Sequence, residues 1–205
     1  IASFETADIR AISTAGIAAL GSAQLNALTT AQMAALTTTQ VAKVGSSLFA
    51  ALETENLNAL GTAQFAALST SQAGVITATQ AAAMETADVA ALNTAALRVL
   101  STAAIAALDT AAIRALGTAQ YAQLTTRQIA ALTTDQVAAI ETADLRALGT
   151  AQLMALTTDQ IAALGTAQVQ SLTSAQVNGL SVAQAQALTT DQIAVLSNAN
   201  LNALK

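Results

Sequence analysis

From Glu5 onward an aliphatic residue returns every eight positions: Ile12, Leu20, Leu28, Leu36, Val44, Leu52 and on without a slip to Leu204. All 25 of these eighth positions hold Leu, Ile, Val or Met, and the fifth position is large and apolar in 22 octads, with Ala73, Ala81 and Ala185 as the exceptions. The polar positions are as regular. The second is Thr or Ser in 22 octads and the fourth is Gln, Asp or Asn in 20, while the sixth and seventh are mostly Ala. The unit reads Thr/Gly, Thr, Ala, Gln, Ile, Ala, Ala, Leu. No linker, insertion or shift in composition interrupts it, which predicts one domain over residues 1–205, a stretch of a longer array.

The period excludes one long helix. At about 3.6 residues per turn, an eight-residue spacing carries the apolar pair round the axis by about 80° per octad, so no face stays apolar. Strands are excluded by anchors three positions apart and by Ala as the filler, since Ala is the strongest helix former and a poor strand residue. Charge placement agrees. All 12 acidic residues fall at the first, third or fourth position, among them Glu5, Asp8, Glu53, Asp109 and Asp144, and five of seven basic residues, Arg10, Lys43, Arg98, Arg114 and Arg146, fall at the sixth or seventh. Acids at a helix start and bases at its end are what the helix dipole favours, by about 0.3–1 kcal/mol each.

Each octad therefore predicts one short helix and a bend. Ser, Thr, Gly, Asn and Asp dominate the first position, the preferred N-cap set, and Gln three residues later completes a capping box, as from Thr37 to Gln40 or Thr125 to Gln128. Thr at the second position is an equally open N-cap candidate. The Gln column reads as the capping-box partner or as a buried hydrogen-bonding ladder, the first being favoured. Helices this short need stacked neighbours, because isolated helices below about 12–15 residues are marginal. The predicted fold is an all-α solenoid of very short helices, one per octad, with Ala at the seventh position allowing successive coils to approach. The number of octads per turn stays open, since Glu at 5, 53, 85 and 141 and Gly at 21, 45, 61, 117, 149 and 165 share no longer period.

Composition narrows function chiefly by exclusion. The chain is 54% hydrophobic but 2% aromatic and has no Pro, Cys, His or Trp. Thiol nucleophiles, disulfides, the usual zinc ligands and the commonest general base are absent together. A net charge of −5 with seven basic residues offers no footprint for nucleic acid. Thr, Ser or Gln interrupts every octad, so no apolar run reaches the roughly 18–20 residues of a membrane span. The chain opens in mid-octad at Ile1 without a secretion-signal layout, which reads as an excerpt or processed segment.

Few constellations stand out. ETADLRAL at 141–148 and ETADIRAI at 5–12 place two acids near an Arg, which reads as an exposed helix start with a salt bridge in preference to a cation site. Asp135, Asp159 and Asp191 lack the oxygen spacing of a calcium loop. The Thr column is either helix capping or an ordered hydroxyl surface of the kind that meets ice. Phe49, Phe65 and Tyr121 at fifth positions, Phe4 at an eighth, and Met33 and Met84 are expected as core fillers, with Met154 exposed.

The stretch LTTDQIAAL resembles the first helix of a TAL-effector DNA-binding repeat, but that repeat's second helix and base-reading loop are missing, so no DNA-reading residue carries over. Over its full length the array resembles the Thr-, Ala-, Gln- and Leu-rich octapeptide regions of large bacterial secreted or cell-surface proteins. That resemblance implies an extracellular spacer, stalk or filament-forming element, with no catalytic, cofactor or metal residues and with neighbouring repeats or further copies of itself as partners. The alternative is a solenoid that binds a protein, a glycan or ice. Half an octad at Ile1–Phe4 and a bare Lys205 predict open ends, which longer arrays or end-to-end association would cover.

Overall fold

The computed structural model describes residues 4–204, all helical apart from short connections: 25 helices of four to six residues, from Thr6–Ala11 to Asn198–Ala203, one in every octad, and no strand among the described residues. The chain divides into two compact units, Ile1–Leu108 and Asp109–Lys205. The first holds 13 helices and the second 12. The open ends expected at Ile1–Phe4 and Lys205 lie, except for Phe4, outside the described residues.

The start of each helix is fixed by the first position, which answers the question of the cap. This residue is extended throughout, with φ between −62° and −92° and ψ between 144° and 174°. Where it is Ser, Thr, Asn or Asp, its side chain accepts from the backbone N–H three residues on, as Thr29 does from Gln32 and Asp109 from Ala112. The second-position Thr is already the first helical residue. The eighth position ends many helices, again extended, as at Leu108 with φ −60° and ψ 142°. Two consecutive extended residues thus make the bend, and no described residue has a positive φ. Gly at the first position is not required by backbone conformation: Gly149, with φ −68° and ψ 159°, sits where Thr or Ser sits elsewhere.

Within each unit the helices stack three octads apart. Thr62–Ala66 lies against Thr86–Ala91 in the first unit, and Thr142–Ala147 against Thr166–Ser171 in the second. The side-chain bonds that join turns most often span 28 residues, three and a half octads, as from Gln64 to Leu36 and from Gln176 to Leu148. A turn of either unit is therefore about three and a half octads. A non-integral count also explains why no longer sequence period is visible: no octad lies directly above its neighbour one turn away.

The fifth and eighth positions form the core. Ile9, Phe49, Phe65, Leu97, Tyr121, Ile129 and Leu145 are essentially inaccessible, and most eighth positions, such as Leu60 and Leu148, are nearly so. Burying each such side chain stabilises by about 1.5–3 kcal/mol. Three expectations need correction. Phe4 is not a core filler but 48% exposed, because no earlier described turn covers it. Two fifth-position anchors near the end of the array, Ile193 and Leu201, are exposed instead of buried, as are Val99, Val182 and the expected Met154. The seventh-position Ala, expected at the contact between coils, is mostly half-buried or exposed; the fourth position makes that contact instead.

Candidate functional site

What the chain repeats is a contact between turns, centred on the fourth-position Gln. In the second unit Gln176 Oε1 accepts from Thr173 N at 2.9 Å, the capping half of its work. Its Nε2 then donates to Leu145 O at 3.0 Å and to Leu148 O at 2.9 Å, 31 and 28 residues earlier. Gln168 repeats this with Val137 O and Ile140 O, and Gln192 with Ile161 O and Leu164 O. In the first unit Gln40 reaches Ile9 O and Ile12 O, and Gln72 reaches Val41 O and Val44 O.

The physical reason lies in the ends of short helices. A helix leaves N–H groups unpaired at its start and carbonyls unpaired at its end, and in a helix of five residues these ends are most of the structure. One carboxamide answers both: its oxygen takes an N–H at the start of its own helix, and its two N–H bonds go to the carbonyls that close a helix one turn earlier. Glu, the ordinary capping-box partner, has no donor when ionised. The capping-box and ladder readings of the Gln column are therefore both correct, and most of its side chains do both, whereas exposed Gln24 only caps.

The hexapeptide Ala27–Gln32 contains the whole joint: the end of one helix, Leu28 at the bend, the extended Thr29, and the rung residue Gln32, which donates to Phe4 O at 2.8 Å. A family model described as the ALTTAQ repeat, the letters of that hexapeptide, matches residues 1–42, 49–84, 81–116, 105–139 and 137–174. The chain belongs to the ALTTAQ repeat family. No curated protein matches it.

Departures from the ALTTAQ pattern show what the rung demands. Asn200, shorter by one methylene, still donates to Leu172 O at 2.9 Å, 28 residues back. Octad 93–100 has Ala96 at the fourth position, and there the N-cap Asn93 substitutes: its Oδ1 accepts from Ala96 N and its Nδ2 donates to Ala66 O and Leu68 O. Sixth-position side chains add ties in the other direction, Arg10 Nε to Ala35 O and Asn26 Nδ2 to Ala51 O, both 25 residues ahead.

The acid-rich octads divide. Asp8 is exposed and accepts from Glu5 N at 3.0 Å, while Arg10 of the same octad is engaged with Ala35 instead of forming the expected salt bridge. The other two are buried: Asp144, expected at an exposed helix start, is 5% exposed, and Asp88 is 3% exposed. Burial, reinforced by Glu85, raises Asp88 to about 6, and burial with Glu141 raises Asp144. Tyr121, sealed in the core with its hydroxyl donating to Ile113 O at 2.6 Å, is raised by burial and by Asp144 and Glu141. Asp135, Asp159 and Asp191 are exposed third-position residues on separate helices. Among the described residues no group of His, Cys, Asp or Glu could hold a metal ion, and no helix is long and apolar enough to cross a membrane. A shallow groove lined by Thr110, Arg114, Asp135, Ala138 and Ala139 is open to solvent.

The signal for the buried fourth position was available in the sequence. Its replacements are Asp, Asn, Ala, Gly and Leu, and none of the 25 is Lys, Arg or Glu. A solvated face would tolerate those long charged residues.

Proposed function

We propose that this structural repeat protein is a non-enzymatic extracellular spacer, stalk or filament-forming element of a bacterial surface or secreted protein. The observation that supports it is the recurrence of one rung in both units: the Gln amide that ties Gln40 to Ile9 and Ile12 ties Gln176 to Leu145 and Leu148. A contact that recurs at each step spreads load along a chain, whereas a binding or catalytic site concentrates unlike groups at one place. Its partners on this reading are neighbouring repeats and further copies of itself.

Stretching single molecules between two beads tests the reading. A spacer built of equal rungs is expected to extend in many small, similar, reversible steps; a single large rupture, with the remainder offering no resistance, would contradict it. Electron microscopy of the same sample reads filament growth, and protease or biotin accessibility on intact cells reads surface exposure.

A second reading, a solenoid that binds ice, has one observation in its favour. The first position does the capping, so second-position hydroxyls such as Thr30, Thr62, Thr118 and Thr190 stand exposed at the first helical residue with no part in the cap. Thermal hysteresis measured on the purified chain decides it: its absence ends this reading and leaves the structural one untouched.

A further inference from the structure

Two rungs of the ladder carry a carboxyl group where the others carry an amide. Asp88 and Asp144 occupy the fourth position, are as buried as the Gln side chains beside them in the same column, and have no hydrogen bond to the turn before. The carbonyls 28 residues earlier, the ones Gln and Asn rungs use, are Leu60 O and Leu116 O. An ionised carboxylate opposes those oxygens with lone pairs; a protonated one presents an O–H. Asn200 shows that a side chain of this length reaches, since its Nδ2 lies 2.9 Å from Leu172 O, and a protonated Asp has the shape of Asn. Beside Asp144, the carbonyl 31 residues back, Ile113 O, already receives the Tyr121 hydroxyl, which leaves Leu116 O for the acid.

We infer that Asp88 and Asp144 are acid-operated rungs: each takes up a proton at mildly acidic pH and then donates to the main-chain carbonyl one turn earlier, tightening the solenoid where it is loose at neutral pH. The surroundings of both are short of positive charge. In the first unit the helix packed on Asp88, Thr62–Ala66, carries no ionisable group, octad 53–60 carries Glu53 and Glu55, its own octad carries Glu85, and the next carries Arg98. In the second unit Asp144 has Glu141 and Arg146 in its own octad, Tyr121 on one packed helix, no ionisable group on the other, Thr166–Ser171, and Asp109, Arg114 and Asp135 on nearby octads.

The direction of the effect follows from linkage. Asp88 titrates at about 6 when folded, against 3.8 as the ordinary value, and Asp144 moves the same way. A group whose folded value is raised binds its proton more tightly in the native state, so its stabilisation is complete below about 4 and is lost as pH rises through the folded value. This opposes the usual behaviour of carboxylates at helix starts, which stabilise on ionisation.

The test compares the full chain with D88N, D144N and the double variant by chemical denaturation at pH 4.5 and pH 7.5. Asn installs a permanent donor of the same shape, so the variants are expected to be more stable at pH 7.5. That advantage should shrink by about tenfold in folding equilibrium constant at pH 4.5, where the wild-type acids make the bond themselves. Carbon-detected NMR titration of the wild-type carboxyls gives a readout independent of folding variants, with both expected to titrate above the ordinary Asp range. An Asn advantage that is the same at both pH values, or carboxyls that titrate at or below that range, overturns the inference.

Discussion

Octads 149–196 of the second unit and octads 85–108 of the first have the same short helices, the same extended first positions and, apart from half-buried Ala185 and exposed Ile193, the same buried fifth and eighth positions. They differ at the fourth. From 149 to 196 every octad has Gln, and Gln152, Gln160, Gln168, Gln176, Gln184 and Gln192 all donate to carbonyls of an earlier turn. From 85 to 108 the column reads Asp88, Ala96, Ala104 and contributes no amide. Both Ala residues are fully inaccessible, so the turns close on the smaller side chain. One stretch is held by a polar ladder over an apolar core, the other by the core and close Ala contact. The difference separates what makes the fold from what ties it: anchors set the coil, and the fourth position sets how the turns are joined.

If the anchors set the coil, deleting one should hurt both stretches alike. Leu153→Ala and Leu97→Ala each remove a side chain with no exposure, and each is expected to cost about 2–5 kcal/mol by chemical denaturation. A cost confined to one stretch would mean that the other draws its stability from elsewhere.

The fourth position should divide them. Gln176→Ala deprives Thr173 N, Leu145 O and Leu148 O of a partner, an expected loss of about 1–3 kcal/mol, the cost of leaving buried polar groups unpaired. The reverse change, Ala104→Gln, forces a long side chain where the turns have closed, and overpacking should also cost about 1–3 kcal/mol. A stabilised Ala104→Gln would show that the two stretches are interchangeable and that Ala is only a missing rung. Asn93 sharpens the point. Asn93→Ser keeps the cap on Ala96 N but removes the donors to Ala66 O and Leu68 O, for an expected loss of about 1–2 kcal/mol read in the same way.

Much of this was legible before any coordinates. The octad frame, the short helices and the anchors follow from Ile, Leu and Val at two fixed positions and from acids and bases sorted to opposite helix ends. The bend was legible too, from the N-cap residues at the first position, but its form was not: it is two extended residues that Thr and Leu adopt freely, and Gly21, Gly61 and Gly149 take the same negative-φ conformation. The turn-to-turn bond was hidden because it joins residues 28 to 31 apart, and sequence spacing shows only the three-residue reach from Thr173 to Gln176. Asp144 was read as a surface acid because its helix start looks identical to that of Asp8, which is exposed; Asp88 shares that start, and the burial of both comes from the turn packed over them, not from their own octad.

The smallest expected effect concerns the six octads that begin with Gly. Because their Gly is extended with negative φ, Ser fits the backbone, and it adds the N-cap acceptor that Ser69 and Ser181 already provide. What a new Cβ meets then ranks the sites. At Gly117 and Gly165 the nearest atom is the Oε1 of the rung Gln, at 3.8 and 3.5 Å, an ordinary contact; at Gly61 the Gln64 oxygen lies at 3.1 Å and must give way while holding its rung to Leu36. Gly117→Ser and Gly165→Ser are expected to raise stability by about 0.5 kcal/mol each, from the cap and from the smaller entropy of the unfolded chain. Gly61→Ser should gain less or nothing. Denaturation midpoints of the three variants check the order. Equal gains at all three would mean that Gln64 shifts without loosening its rung, and hence that the ladder has slack; the ranked result would mean that the new Cβ crowds the carboxamide that ties each turn.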